Sequence, residues 1–299
     1  MTFVQRVTAL VALSLLAAGF GACASATRPA GADRPRANEP PRFAVLAASE
    51  ERRAAALANW GAVVGEQAAK AAPTPELSPV TATLRALPSG LADFPRLPLV
   101  VIDKDVKART EEETRESLRR FLATAAPLTG AELKHLSLVR ITDAPAGAGA
   151  RRAVYRQNPF AYPLRNGFGE VEVTFTPDLR VVGLSSTAVP DAEQLGRALA
   201  QVPKTLTAEQ AAAALNNRTV TFTDRAGARQ TRTVTQTDAA AARQLVVFPL
   251  RRDADPAALE LHVAWEVALG GPDSNVYAYV DAATGDLLGV EERAKDEGK

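Results

Sequence analysis

Leu261-His-Val-Ala-Trp265-Glu-Val267, followed by Val276-Tyr-Ala-Tyr-Val-Asp281-Ala-Ala-Thr-Gly285-Asp-Leu-Leu-Gly-Val290, decides the fold. Leu261, Val263, Trp265 and Val267 alternate strictly with His262, Ala264 and Glu266, the period-2 pattern of a strand with one apolar face. Residues 276–280 and 287–290 read as two further strands joined by a tight turn at 282–285. Asp281 is placed to cap that turn, and Gly285 can adopt the positive φ it needs. Trp265 supplies a large apolar surface to bury. This ending is an antiparallel meander.

Working outward, residues 244–250 form an apolar strand, and 218–223 with 230–235 alternate Thr with Val or Phe around a hairpin loop at Asp224-Arg-Ala-Gly227. Asp191-Ala-Glu-Gln194 and Thr207-Ala-Glu-Gln210 both have capping-box spacing, and the second leads a helix through Leu215. Upstream the same order recurs. Thr110-Glu-Glu-Glu113 opens a helix whose apolar stripe is Leu118, Phe121, Leu122 and Ala125. Strand-like segments follow at 136–141, 152–157 and 169–175, with a turn at Thr176-Pro-Asp178 and a returning strand at 179–184. Leu99-Val-Val-Ile-Asp103 reads as a short strand or extended lead-in. The fold class is α+β: two helix-plus-antiparallel-sheet modules over residues 99–190 and 191–292, with a tail at 293–299. The repeat is one of architecture, because the two halves share no strong identity.

Before these modules the chain changes character. Residues 43–72 are rich in Ala, Glu and Arg and lack Pro, and Leu57, Trp60 and Val64 recur at helical spacing, which predicts a helix with one sticky face. Residues 73–98 carry six prolines and read as a linker. Residues 23–42, rich in Ala, Pro and Arg, read as a flexible tether. Residues 1–22 have one positive charge, Arg6, and a short apolar run ending in small residues, the make-up of a secretory signal. The end of that run, Phe20-Gly-Ala-Cys23, resembles the lipobox of bacterial lipoproteins, with Phe20 where Leu is usual. The resemblance implies cleavage before Cys23 and acylation there, hence a lipid anchor on the extracytoplasmic side of the cell envelope. Ala24 after the Cys implies the outer membrane if the cell is Gram-negative. The alternative reading is an ordinary signal-peptidase site, Ala22-Cys23-Ala24, with Cys23 incidental.

The C-terminal module resembles the PepSY family. The resemblance is carried by Trp265-Glu-Val267, by Tyr277, by Asp281-Ala-Ala-Thr284-Gly285 with the strand that follows, and by the helix start Leu206-Thr-Ala-Glu-Gln-Ala211. In the family these residues are mainly structural. The upstream module resembles the region that precedes PepSY in propeptides of thermolysin-like and fungalysin-like metalloproteases, through Ala153-Val-Tyr-Arg-Gln157, Pro163-Leu-Arg-Asn-Gly167, the Val171/Val173/Phe175 strand and the Pro177-Asp178 turn. Such prosegments assist folding of their enzyme and inhibit it until cleaved. The resemblance implies a binding role toward a secreted or envelope metallopeptidase carried on another chain, as inhibitor or folding assistant. A structural or scaffold lipoprotein that binds another envelope protein is the alternative.

Composition fits a binding protein better than an enzyme. The chain has 299 residues, which suggests about two domains, and a formal net charge of +1 that gives no reason to expect nucleic acid as partner. One Cys and two His cannot supply a disulfide or the usual zinc ligand set. No His-Glu-x-x-His occurs, and no Ser stands in a nucleophile signature. His135 and His262 read as incidental surface or partly buried strand residues. No catalytic residue, cofactor or metal site is expected. Tyr155, Arg156, Gln157, Phe160 and Tyr162 form the densest cluster of aromatic, amide and Arg residues, a composition that interface cores favour; the alternative is a strand corner whose rings pack inward.

Overall fold

The computed structural model describes residues 41–65, 73–91, 93–102, 109–144, 149–271 and 274–293. In chain order these form β1 (Ala44–Ala47), α1 (Glu50–Val64), β2 (Glu76–Leu77) and β3 (Leu84–Ala86). There follow α2 (Glu111–Thr124), α3 (Ala126–Thr129), β4 (Leu136–Asp143), β5 (Arg151–Gln157), β6 (Glu170–Phe175) and β7 (Val181–Ser186). The last part comprises α4 (Ala192–Ala200), α5 (Ala208–Ala213), the hairpin β8 (Thr219–Thr223) and β9 (Arg229–Thr233), then β10 (Ala241–Arg252), β11 (Asp255–Ala268), β12 (Val276–Asp281) and β13 (Leu287–Glu292). The fold is α+β, with every strand pair in these sheets antiparallel. No described helix is long and apolar enough to cross a membrane.

Two sheets organise the chain. The first runs β4-β5-β6-β7 and is covered on one face by α2. Thr110 caps α2 in a full capping box with Glu113, and Leu118, Phe121 and Leu122 meet Val171, Val173 and Phe175, so period 3.6 and period 2 converge on one core. The second sheet is built on β11, the longest strand. It pairs with β10 along one side, and on the other with β1 at Ala44↔Leu261 and with β12 at Trp265↔Val280. β13 continues from β12. Helices α4 and α5 cover the face bearing Leu259, Leu261, Val263, Trp265 and Val267.

Four expectations change. The predicted helix over 43–72 starts only at Glu50, where the Ser49 hydroxyl accepts from the Arg52 amide. Residues 44–47 are instead a strand paired with β11, burying Ala44 and Leu46 together on one face in the core of the second sheet. The Pro-rich 73–98 segment is no free linker. Proline removes N–H donors but leaves the apolar residues between free to bury. Leu77, Leu84, Leu91 and Leu97 join the core under α2, while Val80 joins the core of the second sheet. Asp191 makes no cap for α4; it sits at φ 55° and pairs with Arg52 at 2.6 Å. Leu99, Val101 and Ile102 are exposed and form no strand.

Candidate functional site

The turn after β12 is the most densely bonded element of the second module. One oxygen of the Asp281 carboxylate, Oδ1, accepts from the amides of Ala283 (2.8 Å) and Thr284 (3.0 Å). Gly285 takes φ 78° and donates its amide to the Asp281 carbonyl at 2.9 Å. Thr284 Oγ1 donates to Asp286 Oδ2 at 2.8 Å. The Ala282 carbonyl receives the amides of Thr205 (2.9 Å) and Leu206 (3.0 Å), and the Trp265 indole donates to the Leu206 carbonyl at 3.0 Å. Asp281, Thr284, Gly285 and Trp265 therefore converge on the approach to α5. Tyr277, at the far end of β12, lies elsewhere: the Arg293 guanidinium stacks 3.7 Å from its ring centre.

The second oxygen of Asp281 makes a contact that sequence reading missed. Asp281 Oδ2 lies 2.6 Å from His262 Nδ1, while His262 Nε2 lies 3.1 Å from Glu260 Oε2. Glu260 also accepts from Arg252 Nε at 2.7 Å, and the Phe43 ring sits 4.8 Å from the imidazole. His262 is only 2% exposed, so its reading as an incidental surface or partly buried residue is corrected. Burial is the largest influence on its pKa and pulls it down, but the bonds to Asp281 and Glu260 together outweigh it and hold the pKa above the ordinary value. A carboxylate at each ring nitrogen favours the doubly protonated ring, in which both nitrogens donate. The available signal was the alternation itself, which puts Glu260, His262, Ala264 and Glu266 on one face, with Asp281 opposite Ala264 on the next strand.

Glu266 forms a second buried charge cluster on that face. It accepts from Arg165 Nε (2.7 Å), Gln244 Nε2 (3.0 Å) and Arg293 Nη2 (3.0 Å). Burial opposes its charge most, and these partners still lower its pKa. The Tyr279 hydroxyl donates to Glu291, and burial first and then this partner raise its pKa. Among the described residues no three His, Cys, Asp or Glu are grouped to hold a metal. The His262 and Glu266 clusters hold protons and charge and lock strands, but neither is open to a substrate.

The predicted interface stretch divides. Tyr155 and Gln157 are corrected: both are buried, at 6% and 1% exposure. Gln157 Oε1 accepts from the Val189 amide at 2.8 Å and its Nε2 donates to the Val189 carbonyl at 2.9 Å, and Tyr155 sits in the core under α2, where burial pushes its hydroxyl up to about 12 against the pull of Arg115. Phe160 and Tyr162 pack half-buried on the second core, with Lys204 over the Tyr162 ring, and only Arg156 is exposed. The rings turn inward because the corner joins the two cores. Cys23 lies outside the described residues.

Among the described residues, two grooves have a volume that ligand sites commonly have. One of about 640 Å³ lies where the β2–β3 hairpin, β7 and β10 meet, lined by hydroxyls of Ser78, Thr81, Thr83, Ser186 and Thr187 and by Arg251. Much of its polarity is spent internally, since Thr81 bonds Thr83, Thr83 bonds the Ser186 carbonyl and Arg251 bonds Ser78. The other, about 540 Å³, runs between α2 and β4.

No family profile and no curated protein matches the chain. Among solved structures it is similar to the Bacillus megaterium YpeB C-terminal domain, at 12% identity, over 73% of this chain and 76% of that one, with a TM-score of 0.29.

Proposed function

We propose that the chain is a lipid-anchored binding protein of the cell envelope, attached through Cys23, whose target is an extracytoplasmic metallopeptidase that it inhibits or helps to fold. The observation that carries this reading is the Trp265 to Gly285 motif, on which the sequence resembles protease propeptides. The supporting detail is that Asp281, Thr284 and Gly285 form one bonded turn docked through Trp265 and Leu206. Its polar groups are spent on structure, so the motif serves as scaffold and the binding surface lies elsewhere on the modules. The function asked of the chain is then presentation of a rigid surface, which two packed cores provide.

The test uses the full chain in detergent micelles against secreted metallopeptidases of the same cell. Inhibition, or a raised yield of refolded active enzyme, is the expected result. If it neither changes the activity or refolding of any such enzyme nor co-purifies with one, the peptidase reading is lost. Membrane fractionation of Cys23→Ser tests the anchor separately: the variant is expected in the soluble fraction, and unchanged membrane association removes the anchor.

A further inference from the structure

The groove where the β2–β3 hairpin, β7 and β10 meet holds a cation that the fold leaves without an acid. No Asp or Glu lines the groove, and its two lining cations differ. Arg85 is already neutralised by Glu76 beside it. Arg251 has no acid partner among the described residues; its guanidinium donates to Ser78 Oγ at 3.3 Å and lies 5.9 Å from the centre of the Phe168 ring. Ser78 and Phe168 both line the groove, so the guanidinium stands in it. The bond to Ser78 uses one of five N–H donors. The rest of the fork has the shape that takes two oxygens of a carboxylate or a phosphate.

The walls beside Arg251 carry hydroxyls. Of the twelve polar side chains buried among the described residues, four line this groove: Ser78, Thr81, Thr83 and Ser186. Bonds from Thr81 to Thr83 (2.8 Å) and from Thr83 to the Ser186 carbonyl (3.1 Å) fix them in place. Capacity remains beyond that chain. The Ser78 hydroxyl accepts from Arg251 and donates to nothing among the described residues, and Ser185 makes no side-chain hydrogen bond there. Asn166 gives its Nδ2 to the Pro249 carbonyl at 2.7 Å, which leaves its Oδ1 as an acceptor. Left-handed backbone gathers at the same place, at Ala82 (φ 55°) between Thr81 and Thr83 and at Asn166 (φ 58°), and strain of this kind clusters at ligand sites. Phe168 and Leu250 add apolar surface. A ligand rich in hydroxyls answers such walls, because each of its hydroxyls both donates and accepts. The volume of about 640 Å³ admits a molecule of sugar size.

We propose that this groove binds a sugar-sized polyol carrying one oxyanion, a carboxylate or a phosphate, with the oxyanion on Arg251 and the hydroxyls on Ser78, Ser185 and Asn166. No residue of the Trp265 to Gly285 motif lines it, so this is a second binding function, separate from the peptidase reading.

The test is titration calorimetry on the full chain in sugar-free detergent micelles. D-glucuronate and glucose 6-phosphate present the two oxyanions on one sugar frame. Saturable binding of at least one is expected, and the one that binds distinguishes carboxylate from phosphate. Glucose lacks the charge, and acetate and inorganic phosphate lack the polyol; each should bind at least tenfold more weakly. Arg251→Gln should weaken binding at least tenfold. Ser185→Leu, on a different strand, should do the same by filling the groove. Arg251 is exposed and Ser185 half-buried, and the unfolding midpoint of each variant, expected to be unchanged, shows that it folds. No binding of either charged sugar, equal binding of glucose, equal binding of the bare anions, or binding that survives either substitution would overturn the proposal.

Discussion

The β4–β7 sheet and the β10–β13 sheet are built from the same parts and treat their polar face in opposite ways. In the first, the face away from α2 meets solvent, and its cross-strand ion pair, Arg152 with Glu172, stays 40% and 28% exposed. In the second, the face away from the helices is itself enclosed. Phe248 on β10 reaches across two strands to lie against Gly289 on β13, and its ring sits 4.6 Å from that of Tyr279. That curl shelters Glu266 and His262, whose side chains are 4% and 3% exposed. Exposed pairs are worth little, whereas a buried charge must keep its partners or cost several kcal/mol. The comparison teaches that curvature, more than composition, decides whether a charged residue on a strand is decoration or structure.

The strongest way to break this contrast is Asp281→Ala. The substitution removes the acceptor for two turn amides and leaves the buried His262 ring with Glu260 as its one carboxylate partner. A loss of about 3–5 kcal/mol is expected, read from the denaturant midpoint at constant slope. Asp281→Asn keeps an oxygen for the turn and should lose less. A loss below about 1 kcal/mol for the alanine would mean that the cluster is no more than a surface pair.

Gly289→Ala tests the curl. Its new Cβ would stand 2.8 Å from the Phe248 ring, closer than atoms pack, although the backbone there is ordinary for any residue. Overpacking of this kind costs about 1–3 kcal/mol. Calorimetry should show the lowered Tm, and the double variant Gly289→Ala/Phe248→Leu should recover part of it. An unchanged Tm would mean that β10 and β13 can part without penalty.

What could be read in the sequence was what is local. Thr110 with Glu113 and Thr207 with Gln210 form the capping boxes their spacing announced, and the 171/173/175 alternation points into the core. Asp281 and Gly285 make the turn their types allow. The misses all depend on partners distant in the chain. Ala44-Val-Leu-Ala47 is a strand because β11 takes it as a neighbour, and four such residues carry no helix-or-strand preference of their own. The 73–98 segment earns its burial from two cores that close around it. His262 looked idle because Glu260, Asp281 and Phe43 meet it only once three strands are aligned. Tyr155 and Gln157 have the composition of an interface and the position of a core.

The smallest expected effect, and the most selective, is on pH. The groups facing His262 are Asp281, Glu260 and, through Glu260, Arg252. Its folded pKa lies above 6.5, so its contribution is fully present below that value and is lost as pH rises through the raised folded pKa. Glu260 and Glu266 have the opposite sign: their pKa values lie below 4.5 when folded, so their contribution holds above 4.5 and disappears as pH falls through the lowered values. Stability should therefore be greatest between about 4.5 and 6.5, with an alkaline limb whose slope is at most about 1.4 kcal/mol per pH unit for one proton. His262→Gln should flatten the alkaline limb and leave the acid one. An alkaline limb that persists unchanged in His262→Gln would assign it to other groups and return His262 to the role of a neutral, buried strand residue.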